Sequence, residues 1–213
     1  MIVGSTGGTV RTEVSSLKGT TKLACCSAQV SQNSPIPEVS PADDQAWVAN
    51  FDWVTDELAV GGRFQIGRAA ELASNHGIGA IIDLRQEECD DEAMLAAAGL
   101  AFLHLPTPDL EPATVPMLDA GVAFACERIA LGQKLLIHCQ HGIGRSALLA
   151  LCVMVDQGWQ PLDALIRAKD RRAAVSPSQS QYQGWVRWLQ HRGLAAPDFH
   201  AFGCIAYRHL AKG

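Results

Sequence analysis

Short apolar runs, the mark of buried strands, alternate along this chain with longer stretches in which apolar residues recur every three or four positions, the mark of helices. The runs predict strands at 58–60, 80–84, 100–105 and 135–138. The helical periods fall at 68–74, 90–98, 114–131, 145–155, 162–171 and 179–191, punctuated by His76-Gly77, Gly99 and Pro161. Strands that alternate with helices build a parallel-rich sheet covered on both faces. The predicted class is therefore α/β, with a central four- to five-stranded, largely parallel sheet flanked by helices. Ligands of such sheets bind outside the carboxyl ends of the strands, and Cys139 follows one such end.

The regular pattern does not run the whole length. Residues 1–44 are rich in Ser, Thr, Gly and Pro without sustained periodicity, and read as a flexible N-terminal extension. Composition becomes domain-like from Trp47, giving an expected catalytic domain at 45–193 and a C-terminal extension at 194–213. That extension, with Phe199, Phe202, Ile205 and Tyr207, is expected to pack as a short terminal helix or docking segment. A net charge of −5 offers no basic bias toward nucleic acid, and no apolar run reaches the length of a membrane span. Seven cysteines, an odd number without framework spacing, suit a reducing compartment. The N-terminus lacks a signal-peptide pattern, so the expected location is cytoplasmic; Cys25-Cys26 carries no lipidation signal that sequence rules would support. The oligomeric state is not legible.

Chemistry concentrates at 135–146, where a buried-strand pattern enters a cysteine, five loop residues and an arginine before the next helix. A glycine-bearing loop between strand and helix N-terminus aims backbone N–H groups at one point and adds the positive end of the helix dipole. The amides of Gln140, His141, Gly142, Ile143, Gly144 and Arg145 thus form a candidate phosphate-binding loop. The same field favours the thiolate of Cys139, which a free cysteine with a pKa of about 8.5 carries only to a few per cent at neutral pH. Arg145 offers a planar fork for two phosphate oxygens. Ser146 places a hydroxyl beside the sulfur, and His138 is expected to order the loop from behind by hydrogen bonding. Buried cysteines are ordinarily inert, which is how Cys126 and Cys152 read.

This His-Cys, five residues, Arg, Ser signature resembles that of the cysteine-dependent protein tyrosine phosphatase superfamily. The resemblance covers about 50–192, and the compact size and the opening Asn50-Phe51-Asp52-Trp53 resemble the small atypical dual-specificity phosphatases. It implies the cysteine-phosphatase (dual-specificity) fold and a general acid on an upstream loop. Asp109, thirty residues before Cys139 on a proline-punctuated loop, is the candidate, with Glu111 as runner-up. Gln179, Gln181 and Gln183 stand where family members position the catalytic water, and the pattern does not choose among them.

The implied function is phosphomonoester hydrolysis through a phosphocysteine intermediate. The expected partner is a phosphorylated protein, phosphotyrosine favoured, rather than a nucleic acid or membrane. A phosphoinositide or RNA 5′-phosphatase of the same fold is the alternative, and a non-catalytic phosphate-binding pseudophosphatase is the alternative from another class. No metal or other cofactor is expected, because the histidines and cysteines lack zinc-type paired spacing. Trp47, Phe51 and Trp53 read as core and lid packing, Asp83 and Arg85 as a structural pair at a strand end, and Lys169, Arg171 and Arg172 as a solvated helix face.

Overall fold

The computed structural model describes residues 47–210; the expected flexible extension, Cys25-Cys26 and the last three residues lie outside the described residues. Five strands form one sheet: β1 (Phe51–Trp53), β2 (Leu58–Gly61), β3 (Ile78–Arg85), β4 (Ala101–Thr107) and β5 (Lys134–His138). Their order is β1-β2-β5-β3-β4, parallel except for β1, which runs antiparallel to β2 at the edge. Among the described residues seven α-helices flank it: α1 (Ala69–His76), α2 (Glu92–Ala97), α3 (Val115–Ala130), α4 (Arg145–Asp156), α5 (Pro161–Arg171), α6 (Gln179–His191) and α7 (Phe199–Ala206).

Side chains alternate across a strand, so each buried strand feeds two cores. Leu135 and Ile137 of β5 join Leu58, Val60 and Ile82 on the face covered by α3 to α7. Leu136, between them, joins Ala59 and Ile81 on the face closed by α1 and α2. The centre of the larger core is α4, whose residues from Arg145 to Val155 are all buried, as expected of a helix apolar on every side. With β5 and α4 both buried, the turn between them is fixed at both ends.

The stretch after residue 193 is not a separate layer. Phe202 is fully buried in the larger core, its ring 4.8 Å from that of Tyr182, and Tyr207 Oη donates to the Pro177 carbonyl at 2.6 Å. No helix among the described residues is long and apolar enough to cross a membrane.

Candidate active site

Cys139 leaves the carboxyl end of β5, and α4 begins at Arg145, so residues 140–144 must turn within a short span. Gly142 makes this possible with φ of 71°, a conformation that favours glycine, and a Cβ there would collide with the Gly61 backbone. The turned loop brings the Gly142 N–H to 3.3 Å from Cys139 Sγ, with Ser146 Oγ 3.4 Å from the same sulfur. Burial pushes the Cys139 thiol up, but the Ser146 hydroxyl and the amides of Ser146, Gly142 and His141 outweigh it and hold the thiol below its ordinary value.

Arg145 is buried, its side chain 1% exposed, and is held by a residue with no sequence signal. Glu87, on the loop after β3, accepts from Nη1 at 2.7 Å and Nη2 at 2.8 Å. The Arg145 guanidinium pulls the Glu87 carboxyl down to about 2. Nη1 also donates to the Thr107 carbonyl at 3.0 Å, and Asp109 Oδ1 lies 3.1 Å from Nη2. Nε has no partner among the described residues, which leaves one buried donor of the guanidinium free there.

Asp109 rides a loop whose next residue, Leu110, has φ of 63°. Three polar contacts tie that loop to the start of α6: Ser178 Oγ donates to the Leu110 carbonyl at 2.6 Å, Ser180 Oγ to Glu111 Oε2 at 2.6 Å, and Gln181 Nε2 to the Glu111 carbonyl at 3.3 Å. A cavity of about 100 Å³ results, lined among others by Asp109, Cys139, His141, Ile143, Arg145 and Gln181. Glu111 is not among its lining residues. Of the three glutamines only Gln181 reaches the cavity; Gln179 and Gln183 are exposed. Its amide is already engaged, with Oε1 accepting from the Ser178 N–H at 2.8 Å to complete a capping box.

His138 is fully buried, and its Nε2 lies 2.8 Å from Asp90 Oδ2 rather than against the phosphate loop. It ends a charged ladder in which Arg85 bonds Asp83 through Nε and Nη2, at 3.0 and 2.9 Å, and Asp90 at 2.5 Å. The expected Asp83–Arg85 pair is thus present. Asp83, Asp90 and His138 could in spacing hold a cation, but the Arg85 guanidinium already bonds both carboxylates, so the trio does not fit a metal.

Of the three basic residues expected on a solvated face at the end of α5, only Arg171 is exposed. Lys169 and Arg172 are 2% and 6% exposed. Lys169 Nζ turns inward to the carbonyls of Ala173 and Val175, at 2.7 and 2.8 Å, because the chain after α5 wraps back over it.

Residues 63–159 match the family described as "Polymorphic toxin system, DSP-PTPase phosphatase". Mouse phosphatidylglycerophosphatase and protein-tyrosine phosphatase 1 is 28% identical over 119 residues, 53% of this chain and 62% of that protein. A protein of Acanthamoeba polyphaga mimivirus named as a tyrosine-protein phosphatase is 30% identical over 96 residues, 41% of this chain and 45% of the relative. The chain thus spans less than two thirds of the length of either relative. In fold, the crystal structure of Tk-PTP in its active form superposes with a TM-score of 0.60 at 23% identity, covering 66% of this chain and 97% of the other. Family match, relatives and fold neighbour point the same way: residues 63–159 are similar to the dual-specificity and tyrosine phosphatases, and the chain has the dual-specificity phosphatase fold.

Proposed function

We propose that the chain is a metal-independent phosphomonoester hydrolase that works through a phosphocysteine intermediate, with phosphotyrosine-bearing proteins as the favoured substrates. The observation that carries the proposal is one small cavity lined by a thiol held below its ordinary value, a buried guanidinium with a free donor, and a carboxyl group on a separate loop. Cys139 thiolate attacks phosphorus in line while Arg145 and the loop amides hold the equatorial oxygens. The ester P–O bond breaks, and Asp109 gives its proton to the leaving oxygen. Water then attacks phosphorus, Asp109 takes the proton, and the P–S bond breaks to release phosphate and the thiolate. Arriving phosphate takes over Arg145 Nη2 from Asp109, which frees the acid to face the leaving group.

A lipid phosphate is the second reading, favoured by the name of the mouse relative. Against it, Arg145 is the only arginine or lysine lining the cavity among the described residues, and the carboxylates of Glu87 and Asp109 already stand on its guanidinium. A phosphotyrosine also suits a recessed sulfur, since the ring lifts phosphate from the peptide and leaves as a better anion than serine. The free thiols of Cys89, Cys126, Cys139, Cys152 and Cys204 support a reducing, cytoplasmic setting. The deciding experiment compares kcat/KM on matched phosphotyrosine and phosphoserine peptides, soluble inositol phosphates and RNA 5′-triphosphate ends. Phosphotyrosine should lead; a tenfold preference for an inositol phosphate over every peptide would overturn the protein-substrate part.

A further inference from the structure

Arg172 stands at the end of α5, a place where an arginine normally extends into water, yet its side chain is 7% exposed and every nitrogen is used. Nε donates to the Gly142 carbonyl at 2.8 Å, and Nη2 donates to the His141 carbonyl at 3.0 Å. Nη2 also donates to Asn50 Oδ1 at 2.9 Å, and Nη1 to Asp52 Oδ2 at 2.8 Å. A buried guanidinium is costly unless its charge is matched, and Asp52 of β1 supplies that match.

The two carbonyls belong to consecutive peptide units of the phosphate loop. A trans peptide points its C=O and N–H in opposite directions. Gripping the His141 carbonyl from behind therefore aims the Gly142 N–H forward, and that N–H is the one donating to Cys139 Sγ. Holding the Gly142 carbonyl sets the Ile143 N–H in the same way. A cation on a carbonyl also polarises the amide and strengthens its N–H as a donor. Glycine at 142 lets the guanidinium come this close, since a Cβ there would collide with Nη2 as well as with the Gly61 backbone.

We infer that Arg172, anchored by Asn50 and Asp52, is a positioning residue that clamps the His141 and Gly142 carbonyls and so aims and polarises the amides serving the Cys139 thiolate and the phosphoryl oxygens. The inference rests on Cys139 being the nucleophile and on the loop being the oxyanion site, and it assigns a task to a residue that grips the loop's carbonyls but touches neither the sulfur nor the face that meets phosphate.

Arg172→Lys tests it, because one ammonium keeps the charge but cannot span two carbonyls, Asn50 and Asp52 together. Alkylation of Cys139 by iodoacetamide, followed by mass spectrometry of its peptide against pH, reads the thiol; vanadate inhibition of aryl phosphate turnover reads the oxyanion site; thermal unfolding reads the fold. The expected result is a folded Arg172→Lys protein whose Cys139 titrates about one pH unit higher and whose vanadate affinity is about tenfold weaker, one unit being tenfold. Asn50→Ala trims an exposed side chain without changing charge, and should move both readouts in the same direction by two- to threefold. A folded Arg172→Lys protein with wild-type titration and vanadate affinity overturns the inference. If Arg172→Lys does not fold, wild-type values in Asn50→Ala overturn it. Failure of the phosphatase proposal looks different: no aryl phosphate turnover in the unaltered protein, with the thiol titration still displaced in Arg172→Lys.

Discussion

The phosphate loop and the Asp109 loop face each other across one cavity and are built in opposite ways. The first hangs between a buried strand and a buried helix, carries Cys139 at 3% exposure, and is gripped from behind by Arg172 and packed against Gly61. The second presents Asp109 with its side chain 64% exposed and is tied to α6 through Ser178, Ser180 and Gln181. Charge that develops on phosphorus is best met by donors already in place, which requires a loop that cannot relax. An acid must instead let phosphate in and follow the leaving group, which suits a carboxyl exposed at the cavity rather than buried beneath it.

If that contrast is right, damage to the fixed side should cost most. Arg145→Lys should lower kcat/KM for an aryl phosphate on the order of a hundred- to thousandfold, the range for losing preorganised transition-state donors. Near-normal kinetics would remove Arg145 from the phosphoryl site. On the exposed side, Asp109→Asn should cost about a hundredfold with a poor leaving group, much less with a good one, and flatten the alkaline limb of the kcat profile. An equal effect of Glu111→Gln would reassign the acid. Ser178 joins the Asp109 loop to α6, since its hydroxyl caps the helix through the Gln181 N–H at 3.1 Å and holds the Leu110 carbonyl. Ser178→Ala should destabilise by about 1 kcal/mol, the usual worth of a cap. It should slow turnover of a poor leaving group severalfold and leave vanadate affinity unchanged; a matching loss of vanadate affinity would show that the two loops are not separable.

The smallest expected effect concerns Glu87. Its carboxyl is depressed from 4.5 to about 2 in the folded protein by Arg145, so its contribution is fully present above about 4.5 and is lost as pH falls toward 2. Glu87 is 43% exposed, which screens the pair, so Glu87→Gln should cost roughly 1 kcal/mol or less at neutral pH. Chemical denaturation of both proteins across that range should show the difference shrinking on acidification; a difference that grows instead would mean that Arg145 does not depend on Glu87.

Legibility in the sequence followed local information. The signature from Cys139 to Ser146 and its strand and helix could be read because a short apolar run, spaced glycines and a buried helix are all local patterns. Asp109 stood out because prolines mark its loop. Glu87 did not, since it lies in the acidic run from Glu87 to Glu92, where one carboxylate looks like the next and only the fold shows which meets Arg145. Arg172 was misread for a related reason: beside Lys169 and Arg171 it completes an ordinary charged helix end, and its burial comes from the wrap of 173–178 and from β1, more than a hundred residues earlier. The edge strand β1 escaped because three residues are too few to show a period. Gln181 could not be separated from its neighbours until the N-cap at Ser178 fixed which glutamine faces inward.

The central claim is that phosphate passes through Cys139. Rapid acid quench of the full chain during turnover of an aryl phosphate, followed by mass spectrometry of the peptide containing Cys139, tests it directly. A phosphoryl group is expected on Cys139, more of it in Asp109→Asn than in the unaltered protein, and none together with no turnover in Cys139→Ser. Turnover without any phosphoryl group on Cys139, or a Cys139→Ser protein retaining more than a few per cent of the activity, would contradict it.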